Sequence, residues 1–125
     1  MELVQTQNAP SAIGPYSQAV SVNGMVYTSG QIALKPDGGD ALLQEDVVVQ
    51  AVQVLRNLEA VLEAAGSSMD KVIKTTIFLA NMDDFTTVNE IYAEAFGDHK
   101  PARSTVAVKT LPKNALVEID AVALI

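Results

Sequence analysis

The sequence predicts a two-layer α+β domain, residues 1–125, with two helices on one face of a sheet and the order ββαβαββ. Three observations predict it. Residues 44–65 and 84–96 carry apolar side chains at helical spacing. Shorter runs rich in β-branched residues lie around and between them. Asn23-Gly24, between two such runs, is a strong signal for a type I′ hairpin.

Taken in order, Tyr16–Val22 and Met25–Ser29 are the arms of that hairpin. Pro36-Asp37-Gly38-Gly39 is a loop. From about Gln44 to Ala65 the apolar stripe is Val48, Ala51, Val52, Leu55, Leu58, Leu62 and Ala65, and Gly66 fits the C-terminal cap. Val72–Leu79 reads as a central strand. The second helix, Asp84–Phe96, turns Phe85, Val88, Tyr92, Ala95 and Phe96 to one side, with Asp83 or Asp84 as its N-cap. Ser104–Val108 and Leu116–Leu124 follow as strands, joined through Pro112-Lys113-Asn114. One helical layer leaves much apolar strand surface uncovered: Val20, Val22, Ile73, Thr75, Ile77, Val106, Val117, Ile119 and Val122. A closed homo-oligomer packed sheet against sheet would bury the excess.

Composition narrows the function. The chain is 49% hydrophobic and carries a net charge of −7, so it folds but lacks the basic face that nucleic-acid binding requires. It has no cysteine and one histidine, which excludes thiolate chemistry and multi-histidine metal sites and leaves a Ser-His-Asp triad improbable. His99, between Asp98 and Lys100, reads as a solvated loop residue. No basic leader or membrane-length apolar run is seen, and a cytoplasmic protein is expected.

Arg103, one of the chain's few cations, opens the run Ser104-Thr105-Val106-Ala107-Val108. A planar guanidinium at a strand mouth can grip a carboxylate through two parallel hydrogen bonds. Glu118 interrupts the apolar strand Leu116–Leu124. Together they point to a small pocket for an acid substrate; a structural ion pair between them is the competing reading. Gly14-Pro15-Tyr16 is a turn that either packs its aromatic or offers a hydroxyl, and Ser29-Gly30 can present a hydroxyl and a close N–H. Asn89 lies on the apolar stripe of its helix, so its amide must find backbone, water or ligand partners.

Several segments run in order over nearly the whole chain: Asn8-Ala9-Pro10 through Gly14-Pro15-Tyr16-Ser17-Gln18, Thr28-Ser29-Gly30-Gln31, Glu63-Ala64-Ala65-Gly66, Lys74-Thr75-Thr76, Asp84-Phe85, Val88-Asn89, Pro101-Ala102-Arg103-Ser104, Leu111-Pro112-Lys113 and Glu118-Ile119. In them the chain resembles the Rid family of enamine/imine deaminases, the RidA group most closely. The resemblance implies a chorismate-mutase-like fold, a homotrimer with clefts between subunits, and no metal or organic cofactor. It implies that Arg103 and Glu118 are catalytic and that Tyr16, Ser29, Gly30, Asn89 and Arg103 bind substrate. Thr105 stands where relatives often have cysteine; it shares a face with Arg103 and is expected to line the pocket. The loop between Phe96 and Pro101 looks shorter than in many relatives.

The implied reaction is hydrolysis of short 2-imino acids and their enamine tautomers to 2-keto acids and ammonia. The alternatives are a regulatory module that binds small carboxylates without turnover and an RNA-cleaving translation inhibitor. If the last two strands form a hairpin, Glu118 faces a residue between Val106 and Lys109. Arg103 and Glu118 are then roughly 10–20 Å apart along the sheet, and the site is expected to span a subunit boundary.

Overall fold

The computed structural model describes residues 1–125. Six strands form one sheet in the order β1-β2-β3-β6-β4-β5. They are β1 (Glu2–Val4), β2 (Ala19–Val22), β3 (Met25–Thr28), β4 (Val72–Leu79), β5 (Ala102–Ala107) and β6 (Val117–Leu124). Helices α1 (Val47–Ala64) and α2 (Phe85–Phe96) cover one face. The sheet therefore has one strand more than the sequence predicts: β1 is a short edge strand paired with β2, too brief to show a period.

The β2–β3 hairpin forms as expected, with Val22 opposite Met25 and both Asn23 (φ 52°) and Gly24 (φ 75°) in the left-handed region. Its first arm starts at Ala19 rather than Tyr16. Asp46 caps α1 by accepting from the Val49 N–H. The helix ends in a Schellman turn: Gly66, at φ 85°, donates to Glu63 O (3.0 Å), and Ser67 N donates to Leu62 O (2.9 Å). At α2 neither predicted aspartate caps; Asp84 holds the N-cap position without a side-chain bond, and Asn81 caps the preceding turn by accepting from Asp83 N.

The buried face of α1 keeps Ala51, Leu55, Leu58 and Leu62 of the predicted stripe. It adds Val47, Val54 and Val61, while Val48 is exposed. Two polar residues interrupt it. Gln50 donates to Leu43 O and Glu45 O and accepts from Leu116 N. Asn57 donates to Ile32 O (3.2 Å) and Leu34 O (2.8 Å). Both satisfy backbone of buried loops that have no ladder of their own. On α2, Val88, Tyr92 and Phe96 are buried, and Ala95 faces outward.

The last two strands are not a hairpin. β4 lies between them, parallel to β5 and antiparallel to β6. The β4-α2-β5 unit is a crossover of the kind a parallel pair requires. β6, bonded on both sides by β3 and β4, sits inside the sheet, and β5 is an edge. Along β6, Val117, Ile119, Ala121 and Ala123 point into the helical layer, alternating with Glu118, Asp120 and Val122 on the other face. This corrects the list of uncovered residues. Thr75, Ile77, Val117 and Ile119 are buried beneath the helices, whereas the open face bears Val20, Val22, Met25, Tyr27, Phe78, Val106 and Val122. Ile73, beside the bulge between Val72 and Lys74, is exposed as well.

Candidate active site

Strand pairing separates Arg103 from Glu118. Arg103 is opposite Thr75, and Thr75 is opposite Ala121 in the buried layer, so the guanidinium lies on the helix side of the sheet. Glu118 is opposite Phe78 and projects from the open side. The two are offset by three positions along β4 and lie on opposite faces. A structural ion pair within the chain is thereby excluded, and so is a shared pocket for a three-carbon acid in one chain.

Arg103 is held by α2. Its Nη1 donates to Asn89 Oδ1 (2.7 Å), and its guanidinium carbon lies 4.9 Å from the Tyr92 ring centroid and 5.7 Å from that of Phe85. Tyr92 is fixed in turn by a 2.7 Å bond between its hydroxyl and Thr75 Oγ1. Burial raises the Tyr92 pKa, so the phenol stays neutral beneath the guanidinium. Asn89 thus orients the arginine as a positioning residue. The aromatic platform of Phe85 and Tyr92 was invisible as such in the sequence, where both residues read as core.

This arginine opens onto a cleft of about 400 Å³ rimmed by Phe96, Gly97, His99 and Lys100. His99 is not a free loop residue. Its Nε2 is 2.6 Å from Val72 O and its ring packs beside Phe96, tying the α2–β5 loop to the start of β4. Thr105 faces the same way as Arg103, as expected. Its Oγ1 is the one buried side-chain polar atom without a hydrogen-bond partner, beside Asn89 and Arg103.

Glu118 lies in a different cleft, about 460 Å³, whose walls include Ile13, Tyr16, Ser29, Gly30 and Pro112. Gly30 packs directly on the carboxylate. A Cβ there would overlap Glu118 Oε2 and come within 2.8 Å of the carboxyl carbon, so only glycine leaves the acid its place. Burial, and then the nearby charge of Asp120, pushes the Glu118 carboxyl above its usual range. Ser29 Oγ donates to Ser17 O (2.6 Å), so its hydroxyl has only acceptor capacity left. Gln18, buried, binds Thr6 N, Thr6 O and Pro10 O and fixes the segment before Tyr16. Tyr16 itself is 53% exposed at the cleft mouth. The predicted residues thus fall into two groups: Tyr16, Ser29, Gly30 and Glu118 line one cleft, Asn89 and Arg103 line the other, and Thr105 is buried beside that pair rather than lining the cleft as expected.

Comparison with known proteins places the chain in a family. The family model described as Endoribonuclease L-PSP matches residues 6–125. A mouse 2-iminobutanoate/2-iminopropanoate deaminase is 48% identical over 122 residues, covering 98% of this chain and 90% of that protein. A Rid family protein, YyfA from Yersinia pestis, superposes with a TM-score of 0.95 at 53% identity, covering 99% of this chain and 98% of the other. The E. coli protein TdcF, solved with bound serine, has a TM-score of 0.94 at 43% identity, covering 100% and 99%. With that extent of identity over nearly its full length, the chain belongs to the L-PSP/Rid family.

Proposed function

We propose that this protein hydrolyses short 2-imino acids and their enamine tautomers to 2-keto acids and ammonia, at a site completed between chains of a homotrimer. The observation that carries the reading is the division of labour between the two clefts: a preoriented guanidinium in one, and in the other a half-buried carboxyl with a raised pKa. Arg103 clamps the substrate carboxylate and places the imine carbon near Glu118 of a neighbouring chain. Glu118 takes a proton from water as its oxygen bonds to that carbon. It passes that proton to nitrogen, giving the carbinolamine, then carries the hydroxyl proton to nitrogen as the C–N bond breaks, leaving the keto group and ammonia. Tyr16, Ser29 and the Gly30 N–H surround the reacting end, and Thr105 packs beside Arg103 and Asn89. The names of the mouse deaminase and of serine-bound TdcF point to the same class of small, amino-acid-derived ligands. A net charge of −7 runs against the RNA-cleaving alternative.

The test couples a threonine dehydratase to the protein and follows 2-ketobutyrate release against trapping of the imine by semicarbazide. Wild type should accelerate release. Arg103→Ala should lose about 100-fold or more in kcat/KM, and Arg103→Lys should recover little, because a point charge lacks the fork. Near-normal turnover by a folded Arg103→Ala protein would remove the clamp. Keto-acid binding without any acceleration would mark a regulatory module instead.

A further inference from the structure

We propose that Lys113 is an anion-binding residue of the Glu118 cleft and favours ligands that carry a second negative charge. The proposal rests on the reading of that cleft as the substrate site and adds to it a determinant of substrate class. Glu118 and Lys113 are the only charged residues lining the cleft. The chain has 8 lysines and arginines against a net charge of −7, so its overall field repels anions and a local cation decides what enters.

The loop places this lysine at a conformational cost. Lys113 and Asn114 both adopt φ 55°, a left-handed conformation that glycine takes freely and asparagine tolerates, but lysine disfavours. Buried Leu111 and Ala115 anchor the turn on either side, with Asn114 N donating to Leu111 O (3.0 Å) and Ala115 N to Pro112 O (3.1 Å). Glycine at 113 would suit this backbone better and would supply no charge. Nor is the ammonium locked to Glu118: burial and Asp120 set that carboxyl's pKa. A ligand's attraction to Lys113 scales with its charge, so a dianion gains about twice the logarithmic benefit of a monoanion.

The experiment measures binding, so it does not depend on turnover. Dissociation constants for two unreactive 2-keto acids, pyruvate and 2-oxoglutarate, are compared in wild type, Lys113→Gly, Lys113→Gln and Lys113→Glu at low and high salt. Removing the charge should weaken pyruvate by about threefold and 2-oxoglutarate by about tenfold at low salt, with Glu worse than Gln. The gap should narrow at high salt. Lys113→Gly should melt no lower than wild type, because it relieves the left-handed lysine. Unchanged constants, an equal loss for both ligands, or weakening by Gly but not by Gln would each overturn the proposal. A wild-type protein that binds neither acid would overturn the functional reading and this inference with it.

Discussion

Glu118 shows how much of the site one residue's surroundings decide. Its position in an apolar strand made a half-buried acid legible in the sequence, because alternation places it beside core residues. What could not be read is the contact with Gly30, which depends on a loop meeting β6 from elsewhere in the chain. The raised pKa makes a stability prediction with a definite sign. In the window between its ordinary value of 4.5 and its higher folded value, the folded protein holds a proton that the unfolded chain releases. Stability contributed by this group therefore falls as pH rises through the window. Glu118→Gln removes the buried charge and its repulsion from Asp120. The variant should melt higher than wild type near pH 8, and the advantage should disappear below pH 4.5. Thermal melts across that range check it. A uniform offset at every pH would mean that the substitution acts through packing.

At the scale of elements, periodicity located both helices and most strands because each buries a face against the other layer. It failed where polar side chains belong to the core. Gln50 and Asn57 sit among the buried residues of α1, so a stripe read from apolar residues alone finds Ala51, Leu55, Leu58 and Leu62 but misses part of the face. Their reason for burial lies outside the helix, in carbonyls of residues 32–45 that no strand pairs. The misread hairpin has a similar origin. Adjacent strands in sequence usually pair, but β5 is mostly exposed, as suits an edge, while β6 packs every second residue against the helices. Asn57→Ala should cost about 2–4 kcal/mol, since it opens a small cavity and strands the Leu34 carbonyl in the core, whereas Ile32 O keeps its bond from Leu34 N. Because that segment follows Gly30, activity should fall with it. Urea unfolding gives the number, and a loss below about 0.5 kcal/mol would show water replacing the amide.

For the whole molecule, the decisive fact is that Arg103 and Glu118 occupy opposite faces of one sheet. The predicted separation was argued from a hairpin that does not exist; the parity of side chains along β4 instead separates the two residues by face. No rotamer change carries a guanidinium through a packed sheet. The open face, with Val20, Val22, Tyr27, Phe78, Val106 and Val122, offers a second copy an apolar surface. If association there brings one chain's arginine to its neighbour's glutamate, inactive chains should complement. Arg103→Ala chains retain Glu118, and Glu118→Gln chains retain Arg103. Unfolded together, refolded and allowed to assemble at random, they regenerate both wild-type residues in about a quarter of sites around a ring of heterologous interfaces. Imine hydrolysis should return to about that fraction of wild type, while each parent alone stays inactive. Sizing and native mass spectrometry establish that mixed species formed. Mixed assemblies that remain inactive would mean that the acid acting with Arg103 comes from the same chain, and that Glu118 is not it.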